Sequence, residues 1–336
     1  MQDEDLSLWD LAKAVLMFAV LPCAIITGGA YLYVLYLKPP PYAGVTLQPG
    51  VVYVSARRFE TQGLERLAAN GESVDLTPWW PGDQRDTHLK PDVTVLVHGY
   101  NAQEHKVATY FTELAAHLQS EGGYDGTIVV FDWPALGTPL DELPTAQRVQ
   151  LDMNMMGANR PSQASYELAM YGLDQRQAQG IGARSFLALL DLLSTSGAHT
   201  INVVAHSMGC YLVAEALKLR PGAATRIASM IWLAPDIDEA VTDAPWLRTA
   251  VDRLQNGLTV LYSRSDTVLT RLSRLANGTE RLGATGAGTH TPPSKMVFVD
   301  MTAELGTENA HTGYLMRGSS SLQRIARQLS AAAPAP

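Results

Sequence analysis

A serine set among small residues where a strand turns into a helix can be activated as a nucleophile, and Ala205-His206-Ser207-Met208-Gly209 has that form. It follows the apolar run Ile201–Val204 and leads into Cys210–Leu217, whose apolar residues recur at helical spacing. Strand, sharp turn and helix together read as a nucleophile elbow, in which the hydroxyl projects from the sheet and small neighbours let the backbone pass close by. The same residues would also suit a serine capping an ordinary helix. Ser207 as nucleophile therefore depends on partners elsewhere in the chain.

Where this elbow is used, the acid and the base follow the serine, each on a loop after a later strand. Leu258–Tyr262 is β-branched and aromatic, reads as a strand, and empties into Ser263-Arg264-Ser265-Asp266. Lys295–Asp300 reads as the next strand, and the histidine beyond it is His311. The order Ser207, Asp266, His311 fits a general base that takes the serine proton while a carboxylate fixes its tautomer. Asp236 is a rival acid, because it follows the strand Ile227–Leu233, although Asp236 and Asp238 could instead cap the next helix. Asp300 and Glu304 lie close to the final strand. His290 precedes that strand, which puts it at the opposite end of a parallel sheet from Ser207.

Acyl transfer builds negative charge on a carbonyl oxygen, and preset backbone N–H groups are the usual remedy. One donor is expected at the N–H of Met208. The other is expected at the N–H of Tyr100, where Val93–Val97 delivers His98-Gly99-Tyr100-Asn101 and Gly99 lets the backbone turn. His98 reads as a structural turn residue.

The elements that must position these groups alternate strand and helix, the pattern of a mostly parallel sheet covered on both faces. Strands are expected at Val51–Ser55, at 93–97 and 127–131, and helices around 106–119 and 176–193. With 336 residues, 46% of them hydrophobic, the chain suffices for one large α/β core. A net charge of −8 without a Lys/Arg run argues against a nucleic-acid surface. Cys23 and Cys210 are placed too differently to form a disulfide. Gly180-Ile181-Gly182 lacks a preceding strand, no phosphate-binding loop occurs, and no His/Cys metal pattern is present, so no cofactor or metal is expected.

The N-terminus carries a second strong signal. Residues 14–37 form a charge-free apolar run, about 36 Å long as a helix, enough to cross a hydrocarbon core of about 30 Å. The acidic leader 1–13 and the length of the run argue against a cleaved signal peptide. A single-pass transmembrane anchor is expected, with tyrosines and Lys38 at its exit and a linker over 38–50. The Lys/Arg count around it leans toward a cytoplasmic catalytic domain. That domain is expected over 51–329, with a Met-containing cap or lid insertion at 134–175 and a disordered tail at 330–336.

The segments Val51–Arg57, His98–Asn101, Phe131–Pro134, Tyr171–Asp174, Ala205–Gly209, Leu233–Asp238, Tyr262–Asp266 and His311–Tyr314 together resemble a bacterial, esterase/lipase-like branch of the α/β-hydrolase superfamily, the domain of unknown function nine hundred. The resemblance runs from about residue 51 to 316. It implies the α/β-hydrolase fold, Ser207, Asp266 and His311 at the matching positions, no metal or organic cofactor, and a bacterial inner-membrane setting for the anchor. Ala205 departs from the first elbow glycine, and Ala135 stands where serine is common after Trp-Pro. The reading is a membrane-anchored serine hydrolase cleaving a carboxylester, lipid or thioester through an acyl-enzyme on Ser207. An acyltransferase would use the same parts. The alternative from another class is a catalytically silent, membrane-tethered scaffold or binding module. No oligomeric state is specified.

Overall fold

A computed structural model describes residues 50–57, 89–103, 106–135, 163–196 and 198–331. Seven strands form one sheet: β1 (Val51–Ser55), β2 (Asp92–Val97), β3 (Thr127–Asp132), β4 (Thr200–His206), β5 (Ile227–Leu233), β6 (Leu258–Tyr262) and β7 (Met296–Asp300). Their order is β1-β3-β2-β4-β5-β6-β7, and every pairing is parallel. All seven residues of β5 are buried. That explains why its sequence is a continuous apolar run rather than an alternating one: helices cover both faces of the sheet.

The main helices are α1 (Thr112–Ser120), α2 (Gln163–Gln177), α3 (Ala183–Thr195), α4 (Met208–Leu219), α5 (Pro245–Arg253) and α6 (Ser320–Ala331). In α3 the apolar stripe Phe186, Leu189, Leu190 and Leu193 is buried, and the helix packs on α4. In α6 the residues Leu322, Ile325, Ala326 and Leu329 recur at helical spacing and are likewise buried, against α1.

The topology itself picks out one crevice. After β2 the chain builds outward on one side through β3, and later through β4 to β7 on the other, so the neighbours β2 and β4 flank the point where strand order reverses. Ligand crevices in open parallel sheets form beyond the carboxyl ends of strands at that point. The register lines up Val97 with Ala205, His206 with Leu233, and Leu233 with Leu261. The residues following β2, β4, β5 and β6 therefore emerge along one rim.

Two expectations change. A single helical run begins at Gln163, not near 176, continues through a wider turn at Ala178–Gly182 and passes into α3. The glycines at 180 and 182 resemble breakers in sequence, but Gly182 sits where a Cβ would lie 2.5 Å from Leu212 Cδ1, so close helix packing explains it. Residues 163–175 of the expected lid are thus helix; 136–162 lie outside the described residues. At the C-terminus α6 continues through Ala331, with Ser330 Oγ donating to the Ala326 carbonyl at 3.0 Å, so the expected tail does not begin at 330. The expected anchor and linker, 14–49, also lie outside the described residues. Among the described residues no helix is long and apolar enough to cross a membrane.

Candidate active site

Ser207 stands between β4 and α4 with φ 53° and ψ −123°, a conformation that L-residues avoid. Its backbone is held there from both sides. The Ser207 N–H donates to the Leu233 carbonyl at 2.9 Å, and its own carbonyl accepts from the N–H groups of Cys210 (3.0 Å) and Asp236 (3.2 Å). Small neighbours are required: a Cβ on Gly209 would lie 2.3 Å from the His98 carbonyl oxygen, and one on Gly99 would lie 2.8 Å from Ser207 Cβ. Ala205 tolerates its methyl within the buried core. This is backbone strain at a turn that projects one side chain, as the elbow reading requires.

Asp266 and His311 meet. His311 Nδ1 donates to Asp266 Oδ2 at 2.7 Å, which leaves the imidazole Nε2 as the free acceptor. The other oxygen, Asp266 Oδ1, accepts from the Val268 and Leu269 N–H groups, each at 3.0 Å. Asp266 is fully buried, whereas His311 keeps some exposure. Ser207 and His311 line one cavity of about 710 Å³. They are not hydrogen-bonded to each other in this structure, and such contacts commonly tighten only in the Michaelis complex.

The rival acid has other employment. Asp236 Oδ1 accepts from Arg281 Nε at 2.9 Å and from the Ser273 hydroxyl, and Oδ2 accepts from the Tyr171 hydroxyl at 2.8 Å. Arg281 Nη2 also donates to the Asp236 carbonyl at 2.7 Å. Burial, and then the Asp236 charge, push the Tyr171 phenol well above its ordinary pKa. Asp238, not Asp236, caps the following turn by accepting from the Ala240 N–H at 2.9 Å. His290 bonds Asp243 at 2.5 Å and does not line the cavity. Asp300 accepts from Thr302 and pairs with Arg264 at 3.2 Å.

Of the two residues expected to supply amide donors, only Tyr100 lines the cavity, beside Gly99, while Met208 directly follows Ser207. Met208 is the first residue of α4, where a helix leaves its own N–H groups without internal acceptors. The rest of the wall is mostly apolar, including Val107, Phe111, Leu114, Val268, Leu272 and Leu315, with Lys106 and Tyr110 on the exposed side. Among the described residues no cluster of His, Cys, Asp and Glu is arranged to hold a metal ion.

Two features escaped the sequence reading. His206 Nε2 donates to the His311 backbone carbonyl at 2.7 Å, and the two rings meet edge to face at 4.9 Å between centroids. Desolvation, and then the neighbouring His311, lower the His206 pKa to about 3, so this imidazole is neutral. The second is the fully buried Asp132 at the end of β3. Burial alone would raise its pKa, but Arg57 and His98 outweigh that and hold it at about 2.

A parallel sheet with a strained serine at the turn after its central strand, and an Asp–His pair on later loops of the same rim, defines the α/β-hydrolase fold. The chain belongs to the family described as alpha/beta hydrolase of unknown function (DUF900), whose model matches residues 82–303. No curated protein sequence matches it. Among solved structures it is similar to lipase B of Aspergillus fumigatus, at 14% identity and a TM-score of 0.37, over 76% of this chain and 55% of the lipase. It is also similar to Est1E from Butyrivibrio proteoclasticus, at 10% identity and a TM-score of 0.37, over 74% of this chain and 91% of that one. The naproxen esterase of Bacillus subtilis matches at 11% identity and a TM-score of 0.33, over 70% and 83% of the two chains.

Proposed function

We propose that the protein is a serine hydrolase that cleaves an ester, whether carboxylester, lipid or thioester, through an acyl-enzyme on Ser207. The observation that carries this reading is the His311–Asp266 hydrogen bond at 2.7 Å on the rim of the cavity that Ser207 also lines. His311 Nε2 takes the Ser207 proton as Oγ attacks the acyl carbon. The oxygen that becomes negative is received by the N–H groups of Met208 and Tyr100. His311 then returns the proton to the leaving alcohol or thiol, and a water repeats the sequence to free the acid. Asp266 keeps the imidazole in the tautomer with Nδ1 protonated and stabilises the imidazolium. The apolar run over 14–37 tethers this domain to the bilayer as a single span, with the catalytic domain on the cytoplasmic side.

One experiment tests both parts. Membrane and soluble fractions from cells expressing the full chain are treated with a fluorophosphonate probe. The expected result is a labelled band in the membrane fraction, absent in Ser207→Ala and moved to the soluble fraction when residues 1–41 are deleted. Equal labelling of Ser207→Ala would remove the nucleophile, and a soluble full-length band would remove the anchor.

A further inference from the structure

The oxyanion loop, residues 98–102, is fastened at both ends to one buried carboxylate that the reaction does not use. At its start, His98 Nε2 lies 3.0 Å from Asp132 Oδ1, and the His98 ring stacks on Trp133 with centroids 5.2 Å apart and planes 8° from parallel. The Trp133 indole N–H closes the contact by donating to the His98 carbonyl at 2.8 Å. At its end, the Ala102 carbonyl accepts from Arg57 Nη2, while Arg57 Nη1 donates to the Ala135 carbonyl. Arg57 Nε bonds both oxygens of Asp132, at 2.8 and 2.7 Å. The carboxylate is completed from β1, by the Tyr53 hydroxyl at 2.6 Å and the Ser55 hydroxyl at 3.1 Å. Between the two ends, Asn101 takes a positive φ of 55° and its N–H donates to Asp174 at 3.0 Å.

A buried carboxylate beneath the sheet rim needs no such elaboration for charge balance; one cation would do. The guanidinium adds direction, since its planar fork reaches a carboxylate and two carbonyls on different loops at once, which a lysine ammonium cannot do. We infer that Arg57 is a positioning residue for the oxyanion hole: anchored on Asp132, it sets the Gly99–Ala102 backbone so that the Tyr100 N–H faces the developing oxyanion. This rests on the serine-hydrolase reading above. Arg57 never touches substrate. Its removal lets the loop relax, and a displacement of about 1 Å at such a donor costs roughly a hundredfold in rate.

The test compares Arg57→Lys and Arg57→Ala with wild type in p-nitrophenyl butyrate hydrolysis, with folding checked by circular dichroism. We expect kcat to fall about 10- to 100-fold in Arg57→Lys with KM unchanged, because the interaction is made only in the transition state. Affinity for a trifluoromethyl ketone, which forms a tetrahedral adduct on the serine, should fall by a similar factor. In Arg57→Ala, added guanidinium at millimolar concentration should restore part of kcat where the same concentration of sodium chloride does not. A folded Arg57→Lys enzyme with kcat and ketone affinity within about twofold of wild type would overturn the inference, even if Arg57→Ala fails to fold. Wild type that neither turns over the ester nor labels at Ser207 would instead overturn the hydrolase reading.

Discussion

Asp236 and Asp266 follow adjacent strands, β5 and β6, and both are withdrawn from water, yet they are held by opposite kinds of partner. Asp236 is neutralised on the spot by Arg281 and has its remaining lone pairs taken by Ser273 and Tyr171. Asp266 is met by two neutral amides on one oxygen and turns the other toward His311. A carboxylate whose charge is already paired offers little field to a third group, whereas one held only by dipoles keeps its charge for a neighbour that becomes cationic. Position past a strand end and depth of burial do not distinguish an orienting anion from a structural one. The charge of the partners does.

The largest effect that could break this comparison belongs to Asp266→Asn. The amide can donate to Nδ1 and thereby hold the imidazole in the wrong tautomer, so kcat for p-nitrophenyl butyrate should fall about 10⁴-fold with the fold intact. Near-normal turnover would remove Asp266 from the mechanism. Asp236→Asn should act mainly on stability. It leaves Arg281 buried without its counter-charge, a defect that costs about 3–5 kcal/mol and should appear as a lower urea midpoint. Turnover of the molecules that remain folded should change less than about tenfold. A folded Asp236→Asn enzyme as inactive as Asp266→Asn would exchange the two roles.

The same contrast explains what could be read from the chain beforehand. The strands were legible because β-branched and aromatic runs such as Leu258–Tyr262 carry their signal locally, and parallel topology then sorts His290 from His311 by which end of a strand each follows. The choice between Asp266 and Asp236 was not settled there, because Arg281, Tyr171 and Ser273 reach Asp236 from positions 37 to 65 residues away. Arg57 and Asp132 are likewise 75 residues apart and share no periodicity. The start of the helical run at Gln163 was hidden by low amphipathicity and by the glycines at 180 and 182, of which Gly182 packs closely on Leu212. His206 was concealed in plain view: its place in the turn says that it precedes Ser207, and nothing local says that its ring meets His311.

That ring offers the smallest effect and the sharpest discrimination, since it separates His206 from His311 by protonation. In the unfolded chain His206 titrates near 6.5, while in the fold desolvation, and then His311, bring it to about 3. Above pH 6.5 both states are neutral and the group contributes nothing that varies with pH. Between 6.5 and about 3 the unfolded chain binds a proton that the folded one refuses, so stability is lost as pH falls through that window. At pH 5 the loss from this one group is about 1–2 kcal/mol, allowing for its partial exposure. In His206→Asn nothing at this position titrates. Urea midpoints measured from pH 8 to 5 should therefore fall less steeply in His206→Asn than in wild type, while kcat at pH 8 changes only a few fold. Parallel curves for the two proteins would mean that His206 takes up its proton in the fold as readily as in the unfolded chain, which would overturn its desolvation beside His311.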